Sequence, residues 1–256
     1  MRFTGKVAVI TGAGSGIGKV TAEEFAQEDA AVVIADVNAE QGERAAQDIR
    51  TQGGKAHAVA ADISRIADAK KIADEAIKVF GGIDILFNNA GIQTYGTVVD
   101  TDEATWDRTL DINLKGVFLV SKFCVPEIVK RGGGAIINMA SVQGLASQAR
   151  VIAYTASKGG ILAMTRTMAI DHAKDKIRVN AICPGSVDTP MLRWAADLFV
   201  PENPTQAIED WGKLHALGRV ASPAEIARVV LFLASSDASF MTGSSVVIDG
   251  GMLAGL

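Results

Sequence analysis

A run of glycines, Thr11-Gly12-Ala13-Gly14-Ser15-Gly16-Ile17-Gly18, follows an apolar, β-branched stretch at 6–10 and precedes Val20, Ala22, Phe25 and Ala26 at helical spacing. This strand, turn and helix setting constrains the chain more than any other feature. Glycine lets the backbone turn tightly and approach a pyrophosphate, and a helix N-terminus offers free N–H groups and a partial positive charge to an anion. Gly12, Ser15, Gly16, Ile17 and Gly18 are therefore candidate dinucleotide contacts. A tight turn that binds nothing is the other reading of these residues taken alone.

A second apolar strand at 30–35 ends at Asp36, eighteen residues beyond Gly18. A carboxylate there accepts hydrogen bonds from adenosine ribose hydroxyls and repels a 2′-phosphate, which points to NAD rather than NADP. Neither Val37 nor Asn38 supplies a counter-charge, and Ser15 is not basic.

Helix and strand then keep alternating. A helix at 39–52 leads to a strand at 55–60 ending near Asp62, and Ser64 is the expected N-cap of a helix carrying Ile66, Ala69, Ile72, Ala73, Ala76 and Ile77. A strand at 83–87 runs into Asn88-Asn89-Ala90-Gly91. One long helix is expected over 103–130, interrupted in character only by Asn113, whose amide either faces solvent or bonds buried backbone or water. A strand at 135–140 ends at Ser141, a helix carries Tyr154 and Lys158 to about residue 173, and a strand at 177–183 stops at Pro184-Gly185. Residues 186–221, with Pro190, Pro201, Pro204, Trp194, Phe199 and Trp211, form an excursion of the kind that serves as a lid. Ser222-Pro223-Ala224-Glu225 is a capping box opening the last long helix, and 245–248 is the last strand. This alternation predicts an α/β fold, a single domain over 1–256 with a doubly wound parallel sheet, helices on both faces and ligands beyond the carboxyl ends of the strands.

The composition excludes several classes. Hydrophobic residues are 48% of the chain and charged residues 21%, a globular balance, and a net charge of -4 without a basic stripe argues against nucleic acid. No apolar run is long enough to span a bilayer, and the chain enters its first strand by Lys6, so neither a membrane anchor nor a signal sequence is expected. Cys124 and Cys183 lie in separate apolar segments, as reduced buried thiols do, which suits the cytoplasm. His57, His172 and His215 are isolated from one another and from ligand-spaced cysteines or carboxylates, so no metal is expected.

Tyr154 and Lys158 are four apart and share a helix face. A free phenol titrates near ~10. A neighbouring ammonium, with the positive ring of NAD⁺, would lower it toward the range of a useful base. Ser141 could then hydrogen-bond the substrate oxygen. A tyrosine and lysine at this spacing are by themselves a common surface pair.

Together these motifs resemble the short-chain dehydrogenase/reductase family over essentially the whole chain. The matches are the glycine run at 11–18, Asn-Asn-Ala-Gly at 88–91, Asn113, Ser141 and the Tyr154/Lys158 pair. The resemblance implies a catalytic set of Asn113, Ser141, Tyr154 and Lys158, with Lys158 also on the nicotinamide ribose and Asn113 positioning a water. It implies adenine contacts from Asp62 and Ile63, ribose-side contacts from Asn89, Ala90 and Gly91, and nicotinamide-side contacts from Pro184, Gly185, Val187 and Thr189. It further implies seven strands and a homotetramer pairing the helices at 103–130 and 152–173. The stretches from Ser141 to Gly144 and from Cys183 to Arg193 are similar to bacterial NAD-dependent sugar and polyol dehydrogenases of the family. Gln93, Gln143, Gln148 and Trp194 are accordingly the candidate substrate contacts, with solvated amides and lid packing as the other reading. A 3-oxoacyl-thioester reductase, a hydroxysteroid dehydrogenase and, from another class, a non-catalytic NAD sensor are the alternatives to a small-molecule alcohol dehydrogenase.

Overall fold

A computed structural model describes residues 1–255. Seven strands, β1 (Val7–Thr11), β2 (Ala31–Asp36), β3 (Lys55–Ala60), β4 (Ile85–Asn88), β5 (Gly134–Met139), β6 (Ile177–Pro184) and β7 (Ser245–Ile248), form one sheet in the order β3-β2-β1-β4-β5-β6-β7. Every neighbouring pair is parallel. The order reverses between β1 and β4, which opens a crevice at their carboxyl ends.

Alternation along the strands divides the core into two layers. On β1, Ala8 and Ile10 join Phe25, Ile49 and Val230, which belong to α1 (Gly16–Gln27), α2 (Ala39–Thr51) and α9 (Pro223–Ala234). Val9 faces the other way, onto Ile72 and Cys124 of α3 (Ile66–Phe80) and α5 (Gly116–Lys130). Parallel strands covered on both faces need such continuous apolar runs, and each fully buried Ile or Phe contributes roughly 1.5–3 kcal/mol. The remaining helices are α4 (Glu103–Leu110), α6 (Ile152–His172), α7 (Pro190–Phe199) and α8 (Pro204–Gly212).

Three local expectations change. The helix expected over 103–130 is divided into α4 and α5 by a π-helical turn, Asp111–Lys115, which contains Asn113. Ser64 does not cap α3: Arg65 holds that place, and the Ser64 N–H and hydroxyl both turn back to Asp62 Oδ1, at 3.0 and 2.7 Å. The excursion at 186–221 is built around two helices, each opened by a proline after a capping side chain, Thr189 for α7 and Asn203 for α8. At α9 the capping box is present, Ser222 N–H donating to Glu225 Oε2 at 2.8 Å.

Candidate active site

The glycine run becomes the turn between β1 and α1. Gly12 and Gly16 take positive φ angles of 62° and 54°, and a Cβ on Gly12 would lie 2.8 Å from Ala90 Cα. Glycine is therefore required there sterically. Because α1 begins at Gly16, its first-turn N–H groups have no partner within the helix and face the crevice with the positive end of the dipole. Gly18 acts differently, through packing. Its missing Cβ, which would sit 2.3 Å from Gly12 O, allows α1 to pack against the loop, and Gly18 does not line the crevice.

The crevice holds a cavity of ≈ 970 Å³ that runs from Asp36 past Asp62, Asn89 and Ser141 to the excursion. Every other cofactor candidate named from the sequence lines it: Gly12, Ser15, Gly16, Ile17, Asp36, Asp62, Ile63, Asn89, Ala90, Gly91, Tyr154, Lys158, Pro184, Gly185, Val187 and Thr189. At one end the Asp36 carboxylate accepts from Gly14 N–H at 2.8 Å and Asn38 N–H at 2.9 Å, which fixes it beside the glycine turn. Hydrogen bonds from Ser64 hold the Asp62 carboxyl below its ordinary range. Asn89 braces the turn, donating from Nδ2 to Thr11 O (2.9 Å) and Gly12 O (3.0 Å), while Thr11 Oγ1 accepts from the N–H groups of Asn89 and Ala90. Thr11 was not singled out from the sequence, where a strand-end threonine carries no distinctive signal.

Asn113 is wholly buried and does not line the cavity. Its amide clasps the backbone of Ile92, accepting from the N–H and donating to the carbonyl, both at 2.8 Å, and Nδ2 also donates to Ser157 Oγ at 3.1 Å. Ser157 passes the contact on to Tyr154 O at 2.6 Å. The buried alternative for this amide is thus the one realised, with backbone as its partner.

Around Ser141 the side chains are tightly held. Ser141 Oγ accepts from Gln143 N–H at 3.1 Å, which leaves its proton free to donate. Lys158 is 3% exposed, donates to Met139 O at 2.7 Å and lies 5.4 Å from the centre of the Tyr154 ring. Burial pushes the Lys158 ammonium down to about 8 and the Tyr154 phenol up to about 12, a hydrogen bond with Ser141 offsetting part of the latter. Without the positive nicotinamide ring, the loss of water around phenolate outweighs the hydrogen bond from Ser141. Cys183, also buried, receives the Ser141 backbone N–H, and burial raises its thiol to about 11, so it is unreactive.

Beyond Tyr154 the cavity changes character. Tyr95, Met191, Leu192, Phe199, Trp211 and Met252 line it together with Gln93, Gln143 and Gln148. Tyr95 was missed in the sequence because its aromatic partners, Trp194 and Phe199, come from a distant segment. Trp194 stacks on the Tyr95 ring (5.9 Å, 27°) and does not itself line the cavity. His215 is buried: Nε2 accepts from Ser186 N–H at 3.0 Å, so Nδ1 carries the proton and donates to Trp211 O at 3.0 Å. It ties the excursion to the turn after β6. His57 pairs with Glu75 and His172 with Asp175. Among the described residues no cluster of His, Cys, Asp and Glu could hold a metal, and no helix is long and apolar enough to cross a membrane.

Residues 12–253 match the family model described as enoyl-(acyl carrier protein) reductase. The chain belongs to the short-chain dehydrogenase/reductase family. Within it, the chain is 40% identical to a cyclohexanol dehydrogenase of Acinetobacter sp. over 97% of this chain and 95% of that protein. The structure of levodione reductase superposes with a TM-score of 0.96 at 35% identity, covering all of both chains. The L-sorbose reductase of Gluconobacter frateurii, solved with NADPH and L-sorbose, superposes with a TM-score of 0.94 at 32% identity over 99% of each chain. The chain is thus an oxidoreductase of a family that uses nicotinamide cofactors on alcohols and ketones.

Proposed function

We propose that this protein is an NAD-dependent dehydrogenase of secondary alcohols, with Tyr154 as general acid and base. The observation that carries the reading is the convergence of Ser141, Tyr154 and Lys158 on the same cavity that Asp36 closes at its far end. The cradle fits a dinucleotide: glycines stand where a Cβ would collide, free N–H groups of α1 face the pyrophosphate position, and a fixed carboxylate stands where ribose hydroxyls are read. The bound nicotinamide supplies the acceptor or donor of hydride. Ser141 donates to the substrate oxygen; Tyr154 takes the hydroxyl proton in oxidation and returns it in reduction. Lys158 favours the phenolate electrostatically and donates to a ribose hydroxyl. Asn113 holds the π turn and Ile92 in place behind them.

Asp36 supports NAD over NADP. The cations lining the cavity, among the described residues, are Arg108 and Lys158, and Lys158 stands beside Tyr154, away from Asp36. Two features pull the substrate class in opposite directions: Gln93, Gln143 and Gln148 suit the sugar or polyol reading, whereas the aromatic wall suits a carbon-rich ring. A 3-oxoacyl-thioester reductase is the second reading, favoured by 38% identity over 253 residues to a 3-oxoacyl-[acyl-carrier-protein] reductase of Thermotoga maritima and opposed by Asp36, since such reductases generally take NADPH. A lid at 186–221, a single functional domain, a cytoplasmic location and a homotetramer joined through α4, α5 and α6 complete the proposal; light scattering tests the last.

The test is NADH formation from NAD⁺ across cyclic alcohols, sugars, polyols, hydroxyacids, steroids and hydroxyacyl thioesters. Oxidation of one class supports the reading. Dinucleotide binding without turnover in either direction would favour a non-catalytic sensor.

A further inference from the structure

We infer that Tyr95 is the specificity-determining residue of the substrate half of the cavity, and that it selects a carbon-rich ring, a cyclic secondary alcohol or its ketone, without a charged group. The inference rests on the dehydrogenase reading and deepens it.

Tyr95 is carried by the loop after β4, the same segment that supplies Asn89 and Ile92, three residues beyond the Ile92 backbone that Asn113 clasps. Its ring is held from the opposite side of the cavity. Phe199 packs edge-on at 4.6 Å and 87°, and Trp194 stacks at 5.9 Å and 27°, both from α7. Aromatic pairs at these separations and angles are in their favourable arrangements. The ring therefore forms a wall of defined position at the point where α7 meets the body of the protein. Trp194, about half exposed, backs the wall from outside.

The surroundings of that wall are those of a hydrocarbon ligand. Met191, Leu192, Trp211 and Met252 line the same cavity. The charged side chains of the lining are Asp36, Asp62, Arg108 and Asp111, from β2, the segment after β3, and the α4 and π-turn segment, and Lys158, which donates one of its N–H groups to Met139 O. Of the two cations in the lining among the described residues, Arg108 acts on Asp62 and Lys158 stands beside Tyr154, and an anion buried against the aromatic rings away from them would be costly. Hydroxyacids and sugar phosphates are disfavoured on that ground.

The glutamines do not reverse this. Gln143 Oε1 already accepts from Gln148 N–H at 3.2 Å. Gln148 is exposed and Gln93 half-buried, so their amides meet a ligand at the edge of the cavity and not at the aromatic wall. A polyol places a hydroxyl on every carbon, and each one held against the aromatic wall loses its water without gaining a partner.

The test compares kcat/KM for cyclohexanol, an open-chain secondary hexanol and sorbitol in the wild type, Tyr95→Ala and Tyr95→Phe, with NADH binding by fluorescence and thermal unfolding measured on each. The wild type is expected to prefer cyclohexanol to sorbitol by about a hundredfold or more. Tyr95→Ala should lose about tenfold or more on cyclohexanol, mainly through KM, and much less on sorbitol, with NADH binding intact. Tyr95→Phe, which keeps the ring, should recover the preference. A wild type that favours sorbitol, or an equal loss on all three alcohols in Tyr95→Ala, would overturn the inference while leaving the dehydrogenase reading in place. Absence of turnover on every alcohol and ketone class, with dinucleotide bound, would overturn that reading instead.

Discussion

The ammonium of Lys158 lies 5.4 Å from the centre of the Tyr154 ring, and burial drives the two groups in opposite directions, the amine down to about 8 and the phenol up to about 12. Each is moved toward its neutral form, as desolvation requires. Proton transfer in this site therefore depends on what restores charge to the pair.

The lysine makes a prediction about stability. From about pH 8 to 10.5 the unfolded chain holds a proton on this amine that the folded chain has released, so the residue's contribution to stability rises with pH across that window. Below about 8 both states hold the proton, and the burial penalty, on the order of 3 kcal/mol, stands in full. The unfolding free energy of the wild type, measured relative to Lys158→Met, should gain about 2 kcal/mol between about pH 7.5 and about pH 9.5. Parallel pH profiles for the two proteins would contradict the assignment.

Asp36 makes a prediction about the coenzyme. Its carboxylate is fixed by two backbone N–H groups, so it cannot swing away from a 2′-phosphate. Steady-state kinetics should give a kcat/KM for NAD at least about tenfold above that for NADP. Asp36→Ala should narrow the ratio and weaken NAD, because Gly14 N–H then loses its partner. Equal efficiency with the two coenzymes in the wild type would count against the choice.

Asn113 makes a prediction about the fold around the site. Replacing it with Leu leaves the Ile92 N–H and carbonyl without partners, a loss of roughly 2–4 kcal/mol in unfolding free energy. Turnover should fall further than dinucleotide affinity, since the π turn and Tyr154 are joined through Ser157. Chemical denaturation and NADH titration measure the two effects. An unchanged midpoint would mean that the clasp on Ile92 carries little energy.

What could be read from residue order was what local spacing encodes. The glycine turn, Asp36 and the Tyr154/Lys158 pair sit on regular strands and helices, and the topology delivers them to one crevice because every strand runs the same way. The parallel, doubly wound sheet followed from the same alternation, and its seven strands from the family resemblance. The π turn at Asp111–Lys115 was hidden because the apolar spacing from Trp106 to Phe123 still reads as helical, while the clasp of its Asn113 on Ile92 is a tertiary contact. Tyr95 was hidden for a like reason, since nothing near it in the chain shows that Trp194 and Phe199 close over it. The burial that raises the Tyr154 phenol was not legible either, because sequence shows a neighbouring charge and does not show the loss of water.

The most direct measurement is the turnover of Tyr154→Phe, with NADH binding followed on the same preparation. Removal of the phenolic oxygen leaves the cradle from Gly12 to Asp36 intact, so dinucleotide affinity should stay close to that of the wild type. The rate of alcohol oxidation should fall by about two to four orders of magnitude, the usual worth of a positioned general acid and base. A variant that binds NADH and oxidises the alcohol at the wild-type rate would contradict the assignment of Tyr154 as the proton-transfer group.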